Sequence, residues 1–392
     1  MTLQWFTSKT VRQATAMRKH VQKLLNHQRD ILSPQAVDAV TAAIASVERA
    51  TQENPGKDAI TKEMENLETV ANKWLKPYPQ AALRENIEVL LVALGVAMGI
   101  RTFFLQPFKI PTGSMQPTLY GVTSTNLLQY PEMQIPTGLQ RIKEWFEGIS
   151  YVHIVASTDG DLEGVDRPVR FLIFNLKQTL WIAGKPHTIW FPPDYGSASL
   201  EMRAGLHRQT YKRGDDVVKL QVSAGDHLFV DRLSYNFRLP QRGEIVVFET
   251  KGIPEDMRVR AGIPGDQFYI KRLVGLGGEH IEIGKDRHLI INGKKLDAST
   301  PHFEEVYGFG PKDPPRDSCY SGHVFNTFLA PFFEANPQGV NIPKNSYMVM
   351  GDNTMNSLDS RAWGYFPSEY VIGKSFFVYW PLTHRFGWGY HR

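Results

Sequence analysis

Cysteine is almost absent: the chain has 392 residues and one cysteine, Cys319. No disulfide can form within the chain, and neither a CxxC pair nor a Cys/His cluster exists to hold zinc. The twelve histidines are scattered singly, so no metal is expected. Charge of one sign is also scarce. Lysine plus arginine exceed aspartate plus glutamate by 44 − 40 = 4, too mild and too evenly spread an excess to argue for nucleic acid, although a weak attraction to anionic lipid stays open. The first twenty residues, MTLQWFTSKTVRQATAMRKH, lack the apolar stretch of a cleavable secretory signal. Long apolar runs are missing except at one internal place, Val89 to Ile100.

With 42% hydrophobic residues the chain can bury a substantial core, and its length suggests two to three domains. Residues 10 to 76 carry apolar side chains at spacings of three and four: Ala14, Met17, Val21, Leu24; Val37, Val40, Ile44, Val47; Ile60, Met64, Leu67, Ala71, Trp74. Three amphipathic helices follow from that spacing, with Ser33 and Pro34 as an N-cap and first helical position and ENPGKD as the break before the third. Their stripe reads as a packing seam. The run Val89–Ile100 reaches only about 18 Å at 1.5 Å per residue. If Arg101 snorkels and the helix continues through Thr102 to Leu105, it attains the lower limit for crossing a bilayer. A transmembrane helix is the expectation and a buried soluble helix the alternative. Gly95 and Gly99 make a GxxxG, and the flanking positive charges barely orient the segment.

From residue 109 the pattern becomes one of short β-type runs (YVHIVAS, FLIFNL, TLWIAG, HLFVDRL, EIVVFE, FYIKRLVGL, HIEI, HLIING, SYMVMG, FFVYWP) punctuated by Gly, Pro, Asp and Asn, with no run of helices between. The fold class expected from this pattern is a mainly β domain with an N-terminal α-helical region and one transmembrane helix.

The segment IPTGSMQPTLYG sets Ser114 in a proline-framed turn with no histidine near it in sequence. A hydroxyl attacks poorly until a base takes its proton, and lysine can serve only when burial depresses its pKa. At the reference value roughly 1 lysine in 2,500 is neutral at pH 7; lowering the pKa toward about 8 costs on the order of 3 kcal/mol, which a core can bear. Lys271 in GDQFYIKRLVGLGGEHI is the best candidate, because strand alternation sets it on one face with Tyr269 and Leu273 while Arg272 points the other way.

IPTGSMQPTLYG, GDHLFVDRLSYNF with RGEIVVFE, YIKRLVGLGGE and GDNTMNSLDSRAWGYFP stand in the order seen in bacterial type I signal peptidases, and each resembles one of that family's boxes. The resemblance implies Ser114 as nucleophile and Lys271 as general base, with the oxyanion held by the Ser114 backbone N–H and the Thr112 hydroxyl. Gly113 lets the substrate backbone approach. Ser357 would help to position the lysine amine, with Asp359 and Arg361 as a supporting ion pair. It implies no cofactor and, as partners, secretory preproteins with small residues at −1 and −3, membrane lipid and a secretion translocon, with no nucleic acid. The location implied is the bacterial inner membrane, single-pass, with the catalytic domain outside.

The expected organisation is a cytoplasmic helical region over 1–80, a membrane helix over 81–108 and a catalytic β domain over 109–392, with inserted subdomains at about 122–213 and 294–345. The aromatics of the first insertion, in FLIFNLKQTLWIAG and HTIWFPP, are expected to pack in a strand core, with membrane contact as the alternative. Met355 stands where the family box often has aspartate. Rival readings are an inactive signal-peptidase-like membrane scaffold and a self-cleaving Ser/Lys repressor-type protease. The eukaryotic-type signal peptidase would place histidine where Lys271 stands.

Overall fold

The computed structural model describes residues 8–53, 56–76, 81–172, 174–207, 209–308, 322–326 and 328–388. The whole of the loop GPKDPPRDSC, with Cys319, and Asn54 and Pro55 of ENPGKD lie outside the described residues.

Spacings of three and four along residues 10 to 76 become helices Lys9–Gln28, Pro34–Glu53 and Lys57–Trp74. Ser8 caps the first, and Ser33 Oγ accepts from the Ala36 N–H at the start of the second. Val21, Leu25, Val40, Ile44, Val47, Ile60 and Leu67 close into one apolar core, and this packing of amphipathic faces, rather than helix propensity, supplies most of their stability. The first of the two compact units ends at Gly95.

A fourth helix, Ala81–Phe103, is long and apolar enough over Leu83–Phe103 to cross a membrane, and none of that window is buried. It stops short of Leu105. Phe104 still donates to the Ile100 carbonyl, but Leu105–Lys109 is a strand, so β structure begins four residues earlier than expected. Pro107 explains the switch: it has no N–H to donate and forces Gln106 out of the helical region.

The second unit, Val96–Arg392, is built on an antiparallel seven-stranded sheet in the order Leu105–Lys109, His227–Asp231, Val371–Trp380, Ile245–Glu249, Phe268–Gly275, Ser346–Met350, Phe366–Pro367. Alternation along Ile245–Glu249 feeds two cores. Ile245 and Val247 pack with Ile110, Met115 and Leu119, and Val246 and Phe248 pack with Leu273, Trp363 and Phe366. A four-stranded sheet over residues 280–341 shares a core with Phe303, Tyr307 and Phe333.

Between Thr123 and Ser223 lie a three-stranded sheet and a further group of strands. Here the sequence reading needs two corrections. FLIFNL is not one strand: Val169–Phe171 ends in a turn and Phe174 starts a new strand that runs through TLWI to Ile182. One short helix, Leu139–Phe146, stands among the strands; Leu139, Ile142 and Trp145 at spacings of three after Gly138 are its signal. The aromatics do not all enter a core. Leu180, Ile182 and Ile189 are buried, whereas Phe171, Phe174, Trp190 and Phe191 are exposed.

Candidate active site

The edge strand Leu105–Lys109 leads directly into the Ser114 loop. Ile110 donates to the Asp226 carbonyl and is buried, and Met115 and Leu119 plug the same core from the far side of the loop. The chain then doubles back so closely that a β-carbon on Gly121 would overlap the Thr112 carbonyl, which only glycine tolerates. A residue 239 positions on from Ser114 clamps the turn: Asn353 donates its N–H to the Ser114 carbonyl (3.1 Å) and its side-chain amide to the Gly113 carbonyl (2.9 Å). Among the described residues no acceptor takes the Ser114 N–H. Thr112 is exposed, with Oγ1 3.5 Å from Ser114 Oγ. The N–H and this hydroxyl are thus available on the open side of a buried serine, 5% exposed.

Lys271 comes from the middle of Phe268–Gly275, paired to Ile245–Glu249 on one side and Ser346–Met350 on the other, so the backbone carrying it is fixed from both edges. Its Nζ lies 2.8 Å from Ser114 Oγ, across 157 residues of sequence, and 3.1 Å from the Ile270 carbonyl. The Tyr269 ring stands 5.4 Å away. Burial pushes the Lys271 amine down to about 8; Asp359 and Asp352 act to raise it and Arg361 to lower it. Desolvation wins because each carboxylate is already engaged by a guanidinium, so neither is left to hold an ammonium. At that value about one amine in ten is neutral at pH 7, roughly two hundred times the fraction in water.

Arg272, pointing to the opposite face as alternation requires, is just as buried. It grips Asp352 with Nε (2.7 Å) and Nη2 (2.6 Å), reaches Thr118 Oγ1 (3.2 Å) and donates to the Gly243 carbonyl (2.7 Å). Asp352 lies beside Asn353, so this pair anchors the segment that clamps the serine. Sequence reasoning gave neither Asn353, Arg272 nor Asp352 a role; the one available signal was their place inside the family boxes.

Asp359 and Arg361 do form an ion pair, but not an exposed one. Both are 0% exposed, Nε and Nη2 of Arg361 each 2.9 Å from an Asp359 oxygen. Burial alone would raise the Asp359 carboxyl; the Arg361 guanidinium and the Gly351 N–H bring it below the usual range. Arg361 further donates to the carbonyls of Val324 and Thr354 and to Thr354 Oγ1, so its donors are used within the fold. Ser357 sits against the site: a β-carbon on Gly351 would overlap both its hydroxyl and the Ser114 carbonyl. Ser357 Oγ is buried and makes no hydrogen bond to Lys271. Met355 lines a cavity of about 530 Å³ with Ser357, Leu358 and Met257.

A model of the family described as signal peptidase, peptidase S26, matches residues 83–131 and 208–380. A probable signal peptidase I-2 from Synechocystis sp. is 32% identical over 157 residues, 40% of this chain and 56% of its own length. A signal peptidase I from Leptolyngbya laminosa is 29% identical over 162 residues, 41% of this chain and 64% of its own. The chain therefore spans less than two thirds of these relatives. A solved signal peptidase I from Enterococcus faecalis V583 is 27% identical, with 35% of this chain and 97% of that one covered and a TM-score of 0.23. The matched segments carry Ser114, Lys271 and the Gly351–Arg361 box, and amount to more than half of the residues; the chain belongs to the signal peptidase, peptidase S26, family.

Proposed function

We propose that this chain is a serine endopeptidase that removes N-terminal signal peptides from secreted preproteins by a Ser114/Lys271 dyad. One observation carries the reading: an amine at hydrogen-bond distance from a hydroxyl, 2.8 Å, in a buried site where no carboxylate hydrogen-bonds the amine among the described residues. Neutral Lys271 takes the Ser114 proton as Oγ attacks the scissile carbonyl carbon. The oxyanion forms on the open side of the loop, where the Ser114 N–H and the Thr112 hydroxyl receive it. The Lys271 ammonium returns its proton to the leaving amine of the mature protein, which departs and leaves an ester on Oγ. A water that gives its proton to Lys271 then attacks the ester; Lys271 passes that proton to Ser114 Oγ as it leaves, and the freed signal-peptide acid ionises to its carboxylate.

The edge strand Leu105–Lys109 pairs on one side only, with His227–Asp231. Its other side offers backbone groups to an extended substrate immediately upstream of the serine. The family resemblance implies small substrate residues at −1 and −3. Leu83–Phe103, the one candidate span among the described residues, is the membrane anchor, the site stands on the outer face of the bacterial inner membrane, and the segment outside the family match, 132–207, is an inserted subdomain. Lipid and a secretion translocon are the neighbours this position implies.

Purified full-length chain in detergent should cleave a preprotein at its signal junction, and Ser114→Ala and Lys271→Ala should not. Cleavage by neither wild type nor variants would leave the scaffold reading. Near-normal cleavage by Lys271→Ala would remove the lysine from the mechanism.

A further inference from the structure

The strands Val169–Phe171, Phe174–Ile182 and Lys185–Trp190 are hydrogen-bonded side by side, with Phe171 opposite Phe174 and Lys177 opposite Trp190. That register gathers Phe171, Leu172, Phe174, Trp190 and Phe191 at one end of the hairpins, exposed by 63%, 82%, 61%, 68% and 72%. The other end, the turn between Ile182 and Lys185, is Ala183–Gly184, small residues that follow a strand end where Leu180 and Ile182 are buried. Leu172 and Phe191 also sit at φ of 54° and 51°, a left-handed conformation that glycine or asparagine would adopt at less cost. Two bulky apolar residues thus hold strained, solvent-facing turn positions. A water-exposed surface explains neither feature.

The position of this tip in the fold points to its occupant. Phe171, Phe174 and Phe191 line a groove of about 750 Å³ whose opposite wall includes Pro107 and Phe108. Pro107 is four residues beyond Phe103, the last residue of the apolar helix, so it lies no more than about 14 Å from the helix end. A second apolar patch flanks that end: Arg232 N–H donates to the Phe104 carbonyl, and Phe237 and Leu239, 82% and 79% exposed, follow on the same loop. Arg170 and Lys177 flank the aromatic tip. Aromatic and aliphatic side chains bordered by cations, next to the end of a spanning helix, have the composition of a bilayer interface.

We propose that this hairpin tip inserts into the outer leaflet as a second membrane contact, fixing how the catalytic unit is turned about its single helix. The proposal rests on the reading of Leu83–Phe103 as a membrane span and concerns residues outside the family match. To test it, the full chain carrying Cys319→Ala receives single cysteines by Leu172→Cys, Lys185→Cys or Leu91→Cys. Each is labelled with an environment-sensitive fluorophore and reconstituted into phosphatidylcholine–phosphatidylglycerol vesicles. The label at 172 should shift to the blue and be quenched by lipids brominated in the acyl chain, as at 91, while the label at 185 stays unquenched. An unquenched label at 172 beside a quenched one at 91 overturns the tip contact and leaves the anchor standing. Loss of quenching at both positions overturns both. A blue shift at 172 that grows with protein density, without bromolipid quenching, identifies a second copy as the occupant and likewise overturns the proposal.

Discussion

The seven-stranded sheet and the hairpins over 160–191 are both antiparallel β structure, and each inverts the usual placement of side chains in the opposite sense. The sheet buries cations: Lys271 and Arg272 are 5% and 3% exposed. The hairpins expose aromatics. Burial of a cation costs several kcal/mol unless it is paired, and a cluster of bare aromatic rings forfeits a similar amount of hydrophobic stabilisation. Each inversion therefore marks a place where something other than stability has been selected. Within the sheet a finer contrast appears on one strand: Arg272 is fully paired by Asp352, whereas its neighbour Lys271 has no salt bridge among the described residues. The paired cation holds structure; the unpaired one is free to lose its proton.

Substituting the two neighbours separates these roles most sharply. Lys271→Met should lower kcat/KM for a preprotein by roughly 10³-fold or more without lowering the melting temperature at pH 7. The sign follows from the depressed amine. A folded pKa of about 8, below the ordinary lysine value of 10.5, penalises the folded state fully below pH 8, and the penalty fades toward pH 10.5, so removing the amine relieves about 3 kcal/mol at neutral pH. Arg272→Met should do the reverse. It strands Asp352 without its guanidinium, and a denaturant melt should register a loss of about 3–5 kcal/mol. If the two variants behaved alike in the melt, the contrast between paired and unpaired cation would be wrong.

Thr112→Val keeps the shape of the loop and removes one oxyanion donor; kcat should fall by about 10²-fold with little change in KM. In the wild type, kcat/KM should climb nearly tenfold per pH unit below pH 8 and level off above it, as Lys271 loses its proton. A profile flat from pH 6 to 9 would dissociate the amine from the rate-limiting proton transfer. The smallest effect belongs to the other region: Leu172→Ser and Trp190→Ser should change the stability of the detergent-solubilised chain by no more than about 0.5 kcal/mol, because these side chains have no core to leave.

How much of this was legible in the sequence differs by residue. The N-terminal helices were readable because every third or fourth residue from Ala14 to Trp74 faces the same neighbours, and periodicity alone specifies that burial. Ser114, Thr112 and Lys271 were found through the boxes and the chemistry of a hydroxyl and an amine. Asn353 was not, since nothing local says that an amide in a polar turn will clamp carbonyls 240 positions earlier. Alternation placed Arg272 opposite Lys271 but could not show that its side is covered too. The exposed hairpin tip was misread for a related reason. Phe174, Leu180 and Ile182 share one face of one strand, yet Phe174 is 61% exposed and the other two 0%, because the neighbouring core ends before it reaches the turn.

Sequence alone therefore determined the local periods, the residue types able to carry out acyl transfer, and the single run apolar enough for lipid, because each of these depends on neighbours a few residues away. Only the tertiary structure decided which lysine loses its water, which carboxylates are occupied by arginine, and which aromatics remain bare. Solvation is set by what the fold brings up against a side chain, and along this chain those partners arrive from as far as 240 residues away.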